Sequence, residues 1–161
     1  MTIVQYGNGV HSSKGVVMPK RVYFAHSMEG KVIPEESGQR GRIVRGLLGD
    51  RFQTLLAEEW QERICFQTIE EEDIKQLESA SIVLADLYDV GLKSKDGHTI
   101  MCIGTNQEIG YAKAKGKYVV IIGRNPVHLH PFNAGKYVDY YANSLEEACK
   151  HIREKFNEKK S

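Results

Sequence analysis

Three stretches of this chain, KRVYFAHS (20–27), SIVLADL (81–87) and YVVII (118–122), are apolar without the polar alternation of a strand that has one wet face. A short unbroken run of β-branched and aromatic residues reads as a strand covered on both sides. Such strands belong to parallel sheets, whose crossover helices lie over both faces. The first run reads as a strand ending near Ala25. Between and after the runs the period changes to that of a helix. IEEEDIKQLESA carries Ile74, Leu77 and Ala80 at helical spacing behind an acidic first turn. SLEEACKHIREKFNEKK places Leu145, Ala148, Cys149, Ile152 and Phe156 on one stripe, with Ser144 as N-cap and a basic end.

Strand and helix therefore alternate, with YVDYYAN (137–143) as a last strand, and no internal repeat or interdomain linker breaks the series. The fold class this implies is α/β: a single Rossmann-like or flavodoxin-like domain, residues 1–161, with a mostly parallel sheet flanked by helices. Ligands of such sheets bind beyond the carboxyl ends of the strands, which is where His26, Ser27, Asp86 and the 88–104 loop fall. Asn8-Gly9 signals a tight hairpin in an N-terminal extension, residues 1–20. Residues 28–41, rich in Gly, Pro and charge, read as a long loop of the kind that carries function. Residues 42–63 read as helix from Ile43, Leu47, Phe52, Leu55, Leu56 and Trp60, with Gly46 and Gly49 able to divide it. A second loop, YDVGLKSKDGHTIMCI, turns at its Lys-Asp-Gly.

Composition removes several function classes. A formal net charge of +1 with mixed lysines and glutamates argues against a nucleic-acid polymer as partner. No run approaches the roughly 18 apolar residues of a membrane span, and the first residues lack the basic-then-apolar order of a signal peptide. A cytoplasmic location is expected. Cys65, Cys102 and Cys149 are odd in number and widely spaced, so neither a disulfide framework nor a CxxC site is indicated. There is no GxxxxGK[ST], no GxGxxG opening a helix and no GxSxG elbow. His128 and His130 lack a carboxylate or cysteine at ligand spacing and read as loop rather than metal site.

The segment GTNQEIGYAKAKGKYVVII (104–122) is a turn, a helix and a strand, and it poses one chemical question. Thr105-x-x-Glu108 has the spacing of a capping box, in which both side chains only satisfy backbone donors. The same geometry puts Glu108 in a first turn, where the helix dipole holds a carboxylate ionised, as a nucleophile requires. Asp73 and Asp86 are further carboxylates near element ends. The local pattern leaves both readings open.

From about residue 21 onward the chain resembles the nucleoside 2-deoxyribosyltransferases and their relatives, the 2'-deoxynucleoside 5'-phosphate N-hydrolases. Four segments carry the resemblance in order: VYFAHS, EEDIKQLESASIVLADL, GTNQEIGYAKAKGKYVV and HPFN. The third is the most specific, a Gly-x-x-x-Glu-hydrophobic-Gly-x-Ala segment followed by Gly-Lys and a strand. The resemblance implies that Glu108 is the nucleophile on the anomeric carbon and that the Tyr23 hydroxyl orients it. Asp73 then handles the departing nucleobase. The chemistry implied is that of a retaining glycosidase, with a covalent glycosyl-enzyme and an assisted leaving group. Gly104 belongs to the same segment, and no cofactor or metal is implied.

Two departures bear on the branch. Transferases carry an aspartate six residues before the nucleophile, on the sugar 5'-hydroxyl, and the N-hydrolases a phosphate-binding serine; here the position is Cys102. Asn133 in PFN matches an asparagine that a neighbouring subunit contributes to the transferase site, which implies a homo-oligomer. Glu29 stands where the N-hydrolases favour an arginine, though Arg40, Arg42 and Arg45 remain available to a phosphate. The expectation is a transferase exchanging bases on 2'-deoxyribonucleosides. The alternatives are a hydrolase of nucleosides or their 5'-monophosphates, and a non-catalytic nucleotide-binding module in which Glu108 only caps its helix.

Overall fold

Val22, Phe24, Leu84, Val120 and Ile122 are buried on one face of a sheet, and Tyr23, Ala25, Val83, Ala85 and Ile121 on the other. Successive side chains of a strand point to opposite faces, so an unbroken apolar run supplies two cores at once. The structure, a computed structural model, describes residues 19–26, 34–57, 59, 66–94, 96–124 and 138–157. Its elements are β1 (Lys20–His26), α1 (Pro34–Leu48), β2 (Phe52–Leu56), α2 (Phe66–Ser79), β3 (Ile82–Asp86), α3 (Ile103–Ala114), β4 (Tyr118–Ile122), β5 (Tyr140–Ala142) and α4 (Leu145–Phe156). Among the described residues the five strands pair in parallel, in the order β2-β1-β3-β4-β5. The domain is thus an α/β fold of the doubly wound type, with its switch point between β1 and β3.

One face packs Val44 and Leu48 of α1 with Leu145, Ala148, Cys149 and Ile152 of α4. The other packs Leu77 of α2 with Ile109 and Ala112 of α3, and it includes Tyr23 and Cys102. No helix among the described residues is long and apolar enough to cross a membrane.

The structure corrects two expectations in the first third of the chain. The 28–41 stretch is not all loop, because α1 already begins at Pro34. Pro34 is suited to a first helical position, where its missing N–H is not needed. Residues 42–63 are not a helix interrupted by glycine. Helix α1 ends at Leu48, Gly49 takes a left-handed φ of 69°, and Phe52–Leu56 form the edge strand β2. The turn in the second loop is present: Gly97 has φ 82°, Ser94 N donates to His98 O at 2.8 Å, and Lys93 bridges Thr99. The hairpin expected at Asn8-Gly9 lies outside the described residues.

Helix α4 starts as its sequence implies. Ser144 Oγ accepts from Glu147 N at 3.1 Å, and the Glu147 carboxylate reaches back to Asn143 N at 2.9 Å. Because the Ser144 side chain satisfies an orphan donor of a helix that packs on the core, Ser144→Ala is expected to destabilise the protein by about 1 kcal/mol. Urea denaturation reads this as a lower midpoint with an unchanged slope.

Candidate active site

The N-terminus of α3 is built differently from a capping box. Its N-cap is Cys102, at φ 50° and ψ 44°, with no side-chain cap bond. Thr105 is therefore the third residue of the helix and Glu108 the sixth, in the second turn. The first turn contains no acidic residue. Cys102 has the one positive φ of a non-glycine residue among those described, a conformation that costs an L-residue about 1 kcal/mol. The kink turns Cys102 into the core while Met101 and Ile103 on either side stay 55% and 58% exposed. Asn106 holds this turn: its Nδ2 donates to Cys102 O at 3.0 Å and to Met101 O at 3.3 Å. A helical threonine often bonds such a carbonyl three or four residues back. Here Asn106 bonds both of those carbonyls, and the buried Thr105 hydroxyl has no partner among the described residues. At the other end Gly116, at φ 68°, closes the helix, with Lys117 N donating to Ala112 O at 2.9 Å.

Glu108 extends from this helix towards the sheet and meets Tyr23 from the middle of β1, whose hydroxyl donates to Glu108 Oε1 at 2.5 Å. The two residues are 85 positions apart in sequence. Tyr23 is fully buried, so its hydroxyl is aimed rather than free to rotate through solvent. Asp73, on the adjacent α2, is close enough for its charge to act on Glu108.

These surroundings set the proton affinity of Glu108. Its pKa is raised to about 7, chiefly because the carboxylate is withdrawn from water; the Tyr23 hydrogen bond opposes the rise and the negative charge of Asp73 adds to it. This corrects the expectation of a carboxylate held ionised by a helix N-terminus, since desolvation dominates in the second turn. At neutral pH the group is divided between acid and base forms, the condition in which one carboxyl can both accept and release a proton.

The remaining sequence candidates are distributed as follows. His26 and Asp86 sit at the carboxyl ends of β1 and β3, paired in register. By strand alternation both belong to the face covered by α1 and α4, opposite Tyr23. His26 lies against Phe24, with ring centroids 5.1 Å apart. The buried Asp86 carboxylate accepts from Arg40 Nε and, at 3.0 Å, from Tyr88 N. Gly104 is exposed in the first turn of α3, and a Cβ there would meet nothing within 4 Å. Ser27, Asn133, His128 and His130 lie outside the described residues.

The structure thus brings together Tyr23, Asp73 and Glu108 on one face, with Cys102 and Gly104 at the start of the same helix. It does not bring Asp86 or His26 to the Glu108 carboxylate. Sequence reasoning missed Asn106 as the support of the Cys102 turn and Asp86 as the partner of Arg40. The second pairing spans 46 positions and leaves no local signal.

No protein-family model matches the chain, and none of the curated proteins matches it in sequence. Solved structures do share its fold. A 2-deoxyribosyltransferase from Leishmania mexicana superposes with a TM-score of 0.62 at 20% identity, over 84% of this chain and 98% of that one. The 2-deoxyribosyltransferase of Bacillus psychrosaccharolyticus gives 0.58 at 14% identity, over 78% and 87%. A CMP N-glycosidase from Clostridium botulinum gives 0.55 at 17% identity, over 83% and 98%. At these identities what is shared is the fold, and the chain is similar in architecture to enzymes that act on N-glycosidic bonds.

Proposed function

We propose that this protein cleaves the N-glycosidic bond of 2'-deoxyribonucleosides and transfers the deoxyribosyl group to a second nucleobase. The observation that carries the reading is the convergence of Tyr23, Glu108 and Asp73 from three elements, with Glu108 desolvated and hydrogen-bonded to a fixed phenol. The fold it shares with two deoxyribosyltransferases and an N-glycosidase supports the coarser statement, glycosyl transfer or hydrolysis at a nucleoside.

In this mechanism ionised Glu108 attacks C1' as the C1'–N bond breaks through an oxocarbenium-like transition state. The bonding pair leaves with the base, which is neutralised by a proton relayed from solvent through the Asp73 carboxylate. The Tyr23 hydroxyl orients the attacking oxygen. The acceptor base then attacks C1' of the glycosyl-enzyme, loses its proton to Asp73 and releases Glu108 as carboxylate. Dehydration raises the energy of the resting carboxylate, and the charge is relieved as the ester forms.

The arginines favour an uncharged 5' end. Arg40 is committed to Asp86, and Arg45 to Glu59 at 2.7 Å and to Thr54 O at 3.0 Å. Two of the three cations that sequence leaves available to a phosphate are therefore already neutralised or held elsewhere.

The test is chromatography of the protein incubated with 2'-deoxynucleosides or their 5'-monophosphates, with and without a second free base. The expected result is a new deoxynucleoside formed only with the second base, from nucleosides in preference to monophosphates. Free base released equally with or without an acceptor would assign a hydrolase instead. No product from any substrate would assign a binding module.

A further inference from the structure

The two carboxylates of the candidate site stand on different helices, so their separation depends on how α2 and α3 are held against each other. Their buried contact, Leu77 with Ile109 and Ala112, is apolar and carries no directional restraint. A directional contact lies at the surface. Tyr111 of α3 donates its hydroxyl to Glu78 Oε1 of α2 at 2.6 Å. Lys115 Nζ lies 2.9 Å from the same oxygen and 5.1 Å from the centre of the Tyr111 ring. Lys117 Nζ donates to Glu78 O in the last turn of α2 and to Ala80 O just beyond it, each at 2.6 Å, placing a cation at the C-terminal end of the helix. The Tyr111 hydroxyl and then Lys115 hold the Glu78 carboxyl below its usual range, so it is ionised at neutral pH.

We infer that this Tyr111–Glu78 bond, with its flanking lysines, is a brace that sets the separation of Asp73 and Glu108, and that Tyr111 is a positioning residue for the reaction. Glu78 follows Asp73 by five residues and Tyr111 follows Glu108 by three, about 7.5 Å and about 4.5 Å along their helices. A rocking of α2 about this point is thus transmitted directly to the gap between the carboxylates. On its other flank α3 is tied to the sheet, where Lys113 Nζ reaches Asp139 Oδ2 at 2.8 Å and that oxygen accepts from Val119 N at 2.7 Å. With α3 fixed to β4, α2 is the element the brace restrains. The inference rests on the proposed glycosyl transfer. It adds that the spacing of the pair is held by a contact outside the site.

Tyr111→Phe removes the hydroxyl and keeps the ring that packs on Lys115. Because the bond is exposed it contributes little to folding, and the melting temperature should be unchanged. The expected result is a fall in kcat of about tenfold with KM within about twofold, since misplaced reacting groups lose rate more than binding. A second readout is the acid limb of kcat/KM. Among the described residues the groups facing Glu108 are Tyr23 from β1 and Asp73 from α2. If α2 moves away, the charge of Asp73 acts less on Glu108 and the limb shifts to lower pH. Glu78→Gln, which keeps an acceptor for the phenol, should retain more activity than Glu78→Ala, and the Tyr111→Phe, Glu78→Ala double variant should be no worse than either single one. Wild-type kcat and acid limb in Tyr111→Phe, alongside an inactive Glu108→Gln, would overturn the brace and leave the glycosyl transfer standing. So would a kcat loss that only tracks a lowered melting temperature with no shift of the limb. Full activity in Glu108→Gln would overturn both.

Discussion

Glu108→Gln is expected to lower kcat by at least about a thousandfold while the protein stays folded and binds substrate within a few-fold of the wild type. Gln keeps an acceptor for the Tyr23 hydroxyl and nearly the same volume, so the packing around α3 is preserved. What it lacks is an oxygen able to form the glycosyl ester, and losses of a nucleophile run to several orders of magnitude. Rapid quenching of the wild type with substrate should show the protein heavier by one deoxyribosyl group, and the variant should show no such adduct. An adduct of undiminished yield in Glu108→Gln would place the nucleophile elsewhere.

The same substitution is expected to stabilise the protein, by an amount that depends on pH. The Glu108 pKa is raised to about 7 in the folded chain, from the ordinary carboxylate value of 4.5, mainly by burial. Below about pH 4.5 the carboxyl is protonated in folded and unfolded states alike, and it carries no charge penalty. As pH rises from there to about 7 the unfolded chain releases this proton and the folded chain retains it, so stability is lost across that window. Above pH 7 the loss is complete, on the order of 3 kcal/mol for a carboxyl raised from its ordinary value to about 7. Glu108→Gln should therefore melt several degrees above the wild type at pH 8, with the gap closing towards pH 4.5. Activity should report the same titration in reverse, because the proposed mechanism needs the ionised form to attack: wild-type kcat/KM should fall as pH drops below about 7. A variant no more stable than the wild type at pH 8 would mean that Glu108 is better solvated than its surroundings imply.

The parts of this fold legible in sequence were those with unbroken apolar runs. Val22–Ala25, Ile82–Ala85 and Val119–Ile122 have no reading except strands covered on both faces, and they are the three central strands. Strand β2 was not legible, because Phe52, Leu55 and Leu56 recur at a spacing that also fits a helix and the strand is only five residues at an edge. The start of α1 was hidden by its own polarity; Pro34 followed by two glutamates is a helix-start pattern that the surrounding glycines and charges outweighed. At the site, the resemblance pointed to Tyr23, Asp73 and Glu108 as a set, which spacing alone could not do across 85 positions. The protonation state of Glu108 was not legible, because a left-handed Cys102 moves the start of the helix and puts the carboxylate one turn further in. Thr105-x-x-Glu108 has the letters of a cap, and the backbone does not use them.

The kink at Cys102 also bears on how proteins of this kind are found. The chain overlays several enzymes along most of its length at identities of 14–20%, while no family profile matches it. A reading keyed to linear spacing takes Thr105-x-x-Glu108 for a cap. In the folded chain a hydrogen-bonded clasp, Asn106 onto Cys102, sets where the helix starts and leaves no linear motif behind. A three-point template, a phenol in the first strand bonded to a carboxylate in the second turn of a later helix with an aspartate on the helix beside it, does not depend on that local wording. An arrangement of that kind is better sought by geometry than by alignment.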